Sequence, residues 1–535
     1  MDKRDKPFRD SPRNQAEKQG QGRDTFREAG RSQAQSLRRA DSEDRSRNAR
    51  RGDSEDWSRN ARREDTGGQA RNARRAERAG GGNRRGPGGP DARQVALMAL
   101  SDVMHSGAYA QLALSAHLRA ARGLSLEDKK LATIIFYGAL ENRLRIAWVL
   151  KQFVEDIPQR AVEDVLHIAA AQLLFLDRVP DHAAVDQAVR QIKALGREQY
   201  AALVNGVLRS LIRARDQGDI RYPDPQQDPV RYLSVMHSLP EAITRRLANQ
   251  YGLEETRAMI AYRPDQRTQT VRPNLLRMDD RAFEEYLDRR GWSWEKGLVP
   301  HAYRIRGGGD LAGDPGFREG LFSVQGEGSM LPCYAMAPQR GWQVLDACAA
   351  PGGKSSLLCE MMGLTGRVQA WDKHEHRCEL LRAAKKRLRL DNLRVAARDA
   401  TVGREEYRDF FDAVLIDAPC SGLGVMIDKP DIKYRVSEAG IESLVQTQKK
   451  ILDACAPLVR PGGRLVYSTC TVLQEENQDQ IEDFLGRRPD FRLDPDGSFL
   501  PPALADRWQD GFIQLQAHRD GVEGFFIARL IREEG

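Results

Sequence analysis

Cysteine is scarce in this chain, with seven in 535 residues, at positions 333, 348, 359, 378, 420, 455 and 470. The number is odd, no two form a C-x-x-C pair, and no histidine-rich run accompanies them. This excludes a disulfide framework and a zinc ligand set and points to a reducing, cytoplasmic setting. Long apolar runs are also missing. The most apolar helical stretch, 165–176, is far shorter than the roughly 20 residues a membrane span needs, and the charged N-terminus has no signal-peptide core. A soluble protein with no membrane and no metal partner is expected. The first 90 residues lack almost all aliphatic side chains and carry 24 Lys or Arg against 15 Asp or Glu. Such a segment cannot bury enough apolar surface to offset its ordering entropy, so residues 1–91 are predicted to be a disordered, basic, low-complexity tail.

Within that tail the run Arg47-Asn48-Ala49-Arg50-Arg51 recurs at 59–63 and at 71–75. The repeat is too short and too polar to stack as a solenoid. The whole chain is +7 and the first 90 residues are +9, which leaves the rest at −2. Basicity therefore belongs to the tail, where it favours phosphate backbones through counterion release. Trp57 and Phe26 offer some surface for base stacking,.

About three domains are expected behind the tail. Over 92–221 the apolar positions follow a helical period without β-type alternation, which predicts an all-α bundle. Residues 222–340 mix short helices and strands, as in a small α+β domain. From 341 to 535 strands and helices alternate, with strand candidates at 344–346, 368–371, 393–396, 413–416 and 464–468. Alternation of this kind predicts a doubly wound, Rossmann-like α/β domain whose parallel strands end along one ligand-binding edge.

Three turn motifs lie at that predicted edge. The first is Asp346-Ala347-Cys348-Ala349-Ala350-Pro351-Gly352-Gly353-Lys354, a glycine loop opening a helix. It matches neither the phosphate-gripping G-x-x-x-x-G-K-[ST] loop nor the dinucleotide fingerprint G-x-G-x-x-G. Asp372 ends the next strand, where a carboxylate can accept from two ribose hydroxyls, and Asp399 follows the third, within reach of an adenine amino group. A single nucleoside with an amino-acid tail, S-adenosyl-L-methionine, suits this set better than a dinucleotide. The other two motifs are Asp417-Ala418-Pro419-Cys420-Ser421 and Ser468-Thr469-Cys470-Thr471. Each places a cysteine just past an apolar strand. The remaining five cysteines read as small buried hydrophobes, Cys348 packing or offering backbone beside the cofactor loop.

These three runs, together with Lys429-Pro430-Asp431-Ile432-Lys433, resemble in order and spacing the motif series of the Nop/Sun family of RNA cytosine-5 methyltransferases. The helical region, with Tyr137-Gly138 and Val204-Asn205-Gly206-Val207-Leu208, is similar to the NusB fold and implies RNA binding. The resemblance implies methyl transfer from S-adenosylmethionine to carbon 5 of a cytosine, with 16S ribosomal RNA the expected partner and transfer RNA the alternative substrate; the sequence leaves the oligomeric state open, a monomer being favoured. It assigns Cys470 as the nucleophile and Cys420 as the residue that helps release the product. Asp417 is suited to hold or protonate the ring, and Lys354 to orient Asp417 or lower a cysteine pKa. The alternative from another class is a non-catalytic RNA-binding assembly factor, against which the two retained cysteines and the cofactor loop count. The chain departs from the family where Ile427 and Asp428 precede the Lys429-Pro430-Asp431 motif.

Overall fold

The computed structural model describes residues 91–264, 268–307 and 309–534. The tail and its repeat lie outside the described residues.

Seven helices, from Ala92–His105 to Ala201–Gln217, build the N-terminal bundle. The Asp91 and Ser125 side chains cap the first and third of them by accepting from the Gln94 and Asp128 amides, each cap contributing on the order of 1 kcal/mol. Gly218, at φ 74°, closes the last. Helix Arg160–Phe175 is the central member, with Val165, Ile168, Ala169, Ala170 and Ala171 all buried. Its run of alanines lets neighbouring helices approach closely.

Residues 222–340 do not gather around one core. Helices Pro229–His237, Glu241–Tyr251 and Leu253–Ala261 carry the apolar stripe Leu239, Ile243 and Leu247, which packs on Leu423, Met426, Ile441, Val472 and Leu473 from the C-terminal region. Strands β1 (Thr268–Pro273), β2 (Ser293–Lys296), β3 (Tyr303–Arg306) and β4 (Phe322–Val324) form an antiparallel sheet of order β2-β3-β1-β4. That sheet keeps its own cluster around Phe283, Tyr303 and Phe322. Helix Glu327–Met336 then joins the core of the large sheet through Met330, Leu331 and Met336. The expected single α+β unit is thus shared between three cores, because its helices find their apolar partners in the C-terminal region.

The large sheet has eight strands: β5 (Gln343–Asp346), β6 (Arg367–Asp372), β7 (Leu393–Ala397), β8 (Phe411–Asp417), β9 (Val459–Thr469), β10 (Phe491–Leu493), β11 (Phe512–Gln514) and β12 (Phe526–Arg532). Their order is β10-β12-β9-β8-β5-β6-β7, with β11 paired to β12. The β7-to-β9 half is parallel, and an antiparallel β12 extends it beyond β9, so the sheet is mixed rather than wholly parallel. Strand order reverses between β5 and β8, and a doubly wound sheet binds its ligand in the crevice at that reversal. Among the described residues no helix is long and apolar enough to cross a membrane.

Candidate active site

Parallel pairing sets Asp417, the last residue of β8, opposite Ser468 of β9, so both chains turn out of the sheet on the same side. Cys420 and Cys470 lie in these two turns with their sulfurs 3.4 Å apart, and the Cys470 amide donates to Cys420 Sγ at 3.3 Å. Gly422 makes the approach possible. Its φ is 74°, and a Cβ there would stand 3.1 Å from Ile432 Cδ1 and 3.9 Å from Cys470 Sγ.

The two thiols are electrostatically unequal. The hydrogen bond shared with Cys420 holds Cys470 below the ordinary thiol range despite burial, helped by Lys354 and Lys429 and opposed by Asp417. The same bond, followed by burial, the charge of Cys470 and then that of Glu476, pushes Cys420 well above that range. The lysine charges acting on Cys470 thus favour the thiolate there,. Burial raises the thiols of Cys333, Cys348, Cys359, Cys378 and Cys455, which leaves them unreactive packing groups.

Lys354, in the first turn of helix Gly353–Met361, is buried. Its Nζ donates to Asp417 Oδ2 at 2.8 Å and to Ser329 Oγ at 3.1 Å, and lies 5.0 Å from the centre of the Phe525 ring. Burial acts to lower the ammonium, but the facing Asp417 outweighs it and holds the group above its ordinary value. Asp417 Oδ1 accepts from the Ser468 hydroxyl at 3.1 Å. Ser329 and Phe525 carry no motif in the sequence, and only the fold brings them here.

The cofactor loop, Cys348 to Lys354, runs from β5 into this helix. Gly352 has φ 110° and a Cβ on it would meet Leu381 at 2.9 Å, while one on Gly353 would meet Gln325 at 3.4 Å. The left-handed backbone and the Leu381 contact require glycine at 352, whereas a Cβ at 353 would make only an ordinary contact. The Ala349 amide donates to Trp371 O at 2.8 Å, tying the loop to β6, and Ala350 and Pro351 continue it with Ala350 buried.

Three carboxylates line the ends of β5, β6 and β7. Asp346 is fully buried, accepts from Ser355 Oγ at 2.6 Å, and among the described residues its Oδ1 has no hydrogen-bond partner. Burial pushes it up to about 7. Asp372 accepts from the His374 amide at 3.0 Å and faces Arg377 at 3.3 Å. Asp399 accepts from the Thr401 hydroxyl and amide at 2.6 and 2.9 Å and pairs with Lys373 at 3.0 Å, which together hold it at about 2. Asp372 and Asp399 are engaged by their own turns, yet each retains lone pairs for further donors. A row of acceptors with one buried oxygen left open fits S-adenosylmethionine, whose amino group, ribose diol and adenine amine are all donors.

The Lys429-Pro430-Asp431-Ile432-Lys433 motif forms a tight turn against the bundle. Tyr434 OH donates to Leu140 O at 2.7 Å, its ring lies 5.6 Å from the Arg143 guanidinium, and Lys433 Nζ donates to His237 O at 3.1 Å. Ile432, packed under Gly422, links that turn to the thiols.

A family model described as 16S rRNA methyltransferase RsmB/F matches residues 333–531, and one described as the NusB family matches residues 90–213. A Bacillus subtilis protein named probable ribosomal RNA small subunit methyltransferase B is 36% identical over 451 residues, 83% of this chain and 99% of that protein. The chain belongs to the RsmB/F methyltransferase family. A Synechocystis relative of the same name is 31% identical over 445 residues, 82% of this chain and 99% of its own length. The solved structure of PH0851 superposes with a TM-score of 0.71 at 25% identity, covering 82% of this chain and 98% of that one. As an RsmB/F protein with a NusB domain ahead of this sheet, the chain is an S-adenosylmethionine-dependent RNA methyltransferase. When bound, the cofactor supplies an electrophilic methyl group.

Proposed function

We propose that this enzyme methylates carbon 5 of a cytosine in 16S ribosomal RNA, through a covalent bond to Cys470 that is resolved with the help of Cys420. Carbon 5 is not nucleophilic by itself, so a thiolate must first add at ring carbon 6 to make an enamine. The observation that carries the reading is the pair of thiols 3.4 Å apart, beside the Lys354–Asp417 ion pair at 2.8 Å. Cys470 Sγ forms the bond to carbon 6. Asp417, with Lys354 as its partner, accepts from the exocyclic amine of the base, and the lysine's charge offsets the electron density that develops on the ring during attack.

After methylation the carbon 5–hydrogen bond and the carbon 6–sulfur bond must both break. The proton leaves to a base and the electron pair of the carbon–sulfur bond returns to Cys470 Sγ, where the Cys420 S–H stabilises the returning thiolate. Asp346, Asp372 and Asp399 are assigned to the cofactor, and the loop of Cys348, Ala349, Ala350, Pro351, Gly352 and Gly353 forms its floor. The substrate assignment follows the relatives named as small subunit methyltransferases.

The test is a pair of variants on ribosomal RNA. Cys470→Ala is expected to abolish methyl transfer and adduct formation. Cys420→Ala is expected to accumulate an RNA adduct that survives a denaturing gel. Turnover by Cys470→Ala would overturn the mechanism, and bisulfite sequencing of 16S RNA from a deletion strain, if unchanged from wild type, would overturn the substrate.

A further inference from the structure

We infer that Glu476 is a positioning residue for the thiol pair, a buried carboxylate that clamps both cysteine-bearing turns from behind and sets a negative charge behind Cys420. It deepens the dithiol reading above and rests on it for its chemical meaning.

Glu476 is fully buried in the short 3₁₀ turn Gln474–Glu476. Among the described residues no lysine or arginine pairs with it. Instead its carboxylate accepts from the Ser421 amide at 2.9 Å, from Gln448 Nε2 at 3.0 Å and from the Ser421 hydroxyl. Ser421 Oγ in turn lies 2.6 Å from Thr471 Oγ1. Ser421 follows Cys420 and Thr471 follows Cys470, so this chain of bonds crosses between the two turns directly behind the sulfurs.

The other flank of each cysteine is held as well. Gln448 Nε2 donates to the carbonyl of Pro419 at 2.9 Å, the residue before Cys420. Asn477, adjacent to Glu476, accepts from the Thr469 hydroxyl at 2.5 Å and donates to Thr471 O at 3.1 Å, the residues on either side of Cys470. Tyr467 OH donates to Glu476 O at 2.7 Å and fixes the turn itself to β9. All four chain neighbours of the two cysteines are therefore gripped by Gln448, Glu476 and Asn477.

Shape alone does not require a charge at this position. A glutamine could accept the same two N–H donors on its oxygen, while Ser421 Oγ, turned toward Thr471, accepted from its amide. What a glutamine would lose is the negative charge behind Cys420. Lys354, Lys429 and Asp417 are among the charges that act on Cys470, and Glu476 is among those that act on Cys420. Removing the charge makes a thiolate at Cys420 less unfavourable.

The experiment alkylates the resting full-length protein with iodoacetamide, without RNA or cofactor, and follows Cys420 and Cys470 separately by mass spectrometry. Glu476→Gln is expected to fold as wild type by circular dichroism and to lower the ratio of Cys470 to Cys420 labelling rates near neutral pH by about tenfold, the effect of one pH unit. Glu476→Asp, which restores the charge, is expected to recover most of the ratio. Ser421→Ala, which deletes only the hydroxyl link between the turns, is expected to lower it by a smaller factor and carries the test should Glu476→Gln not fold. An unchanged ratio in the charge-neutral variant, or two rates that move together, overturns the inference. A lowered ratio alongside an active Cys470→Ala enzyme would instead leave the clamp standing and remove the mechanism it serves.

Discussion

Replacing Lys354 with methionine should raise the pH at which Cys470 becomes reactive, and by an amount the geometry bounds. The lysine side chain is 8% exposed and its ammonium meets Asp417 at 2.8 Å. It lowers the Cys470 thiol while Asp417 raises it. Lys354→Met therefore acts twice in one direction, deleting an attraction and unmasking a repulsion. Taken generically at a separation on the order of 6 Å in an effective dielectric of about 20, a unit charge is worth roughly 3 kcal/mol, and screening reduces this to a shift of about 1 to 2 pH units. The double variant Lys354→Met/Asp417→Asn removes both charges and should return most of the way to wild type. Initial alkylation rates of Cys470 against pH read this directly. A midpoint that stays put or falls in Lys354→Met, or a double variant shifted as far as the single, would refute the electrostatic account.

Asp399→Asn should destabilise the catalytic region. The folded carboxyl sits at about 2 against an ordinary 3.8, worth about 2 kcal/mol before solvent screening and about 1 after it. Because the folded value is depressed, that stability is present above the ordinary value and lost as pH falls through the folded one. The difference in apparent melting temperature from wild type should thus be flat above about pH 5 and narrow below about pH 4; a pH-independent difference would count against the assigned cause. Deleting residues 1–90 should weaken RNA binding mainly at low salt and flatten the salt dependence of affinity. An unaltered slope in filter-binding titrations would remove the tail as a phosphate binder.

The sequence made the catalytic sheet legible because its parallel strands are short apolar runs broken by polar turns, and all five expected strands occur within β5 to β9. The antiparallel strands β10, β11 and β12 were not foreseen, since two of them span only three residues each and show no period of their own. Cys420, Cys470, Asp417 and Lys354 stood out as turn residues and do converge. Glu476 did not, because Gln474-Glu475-Glu476-Asn477 reads as a solvated acidic turn, and nothing local shows that one of its two glutamates is buried under Ser421 while the other pairs with Arg246. Asp372 and Asp399 were placed correctly at strand ends, but their bonds to His374, Thr401 and Lys373 depend on turn geometry that spacing does not encode. The sharing of residues 222–340 among three apolar clusters is hidden for a related reason. An amphipathic helix announces that it needs an apolar partner without saying whose.

Tyr434 gives the two halves of the molecule a common fastening. A side chain carried by the catalytic half fills a socket in the helical half, and its near neighbour Ile432 props the glycine on which the paired sulfurs rest. Trimming the bundle away would leave an aromatic ring uncovered and slacken the support under the chemistry. Exchanging it for another helical module would succeed only if the newcomer offered a matching hole.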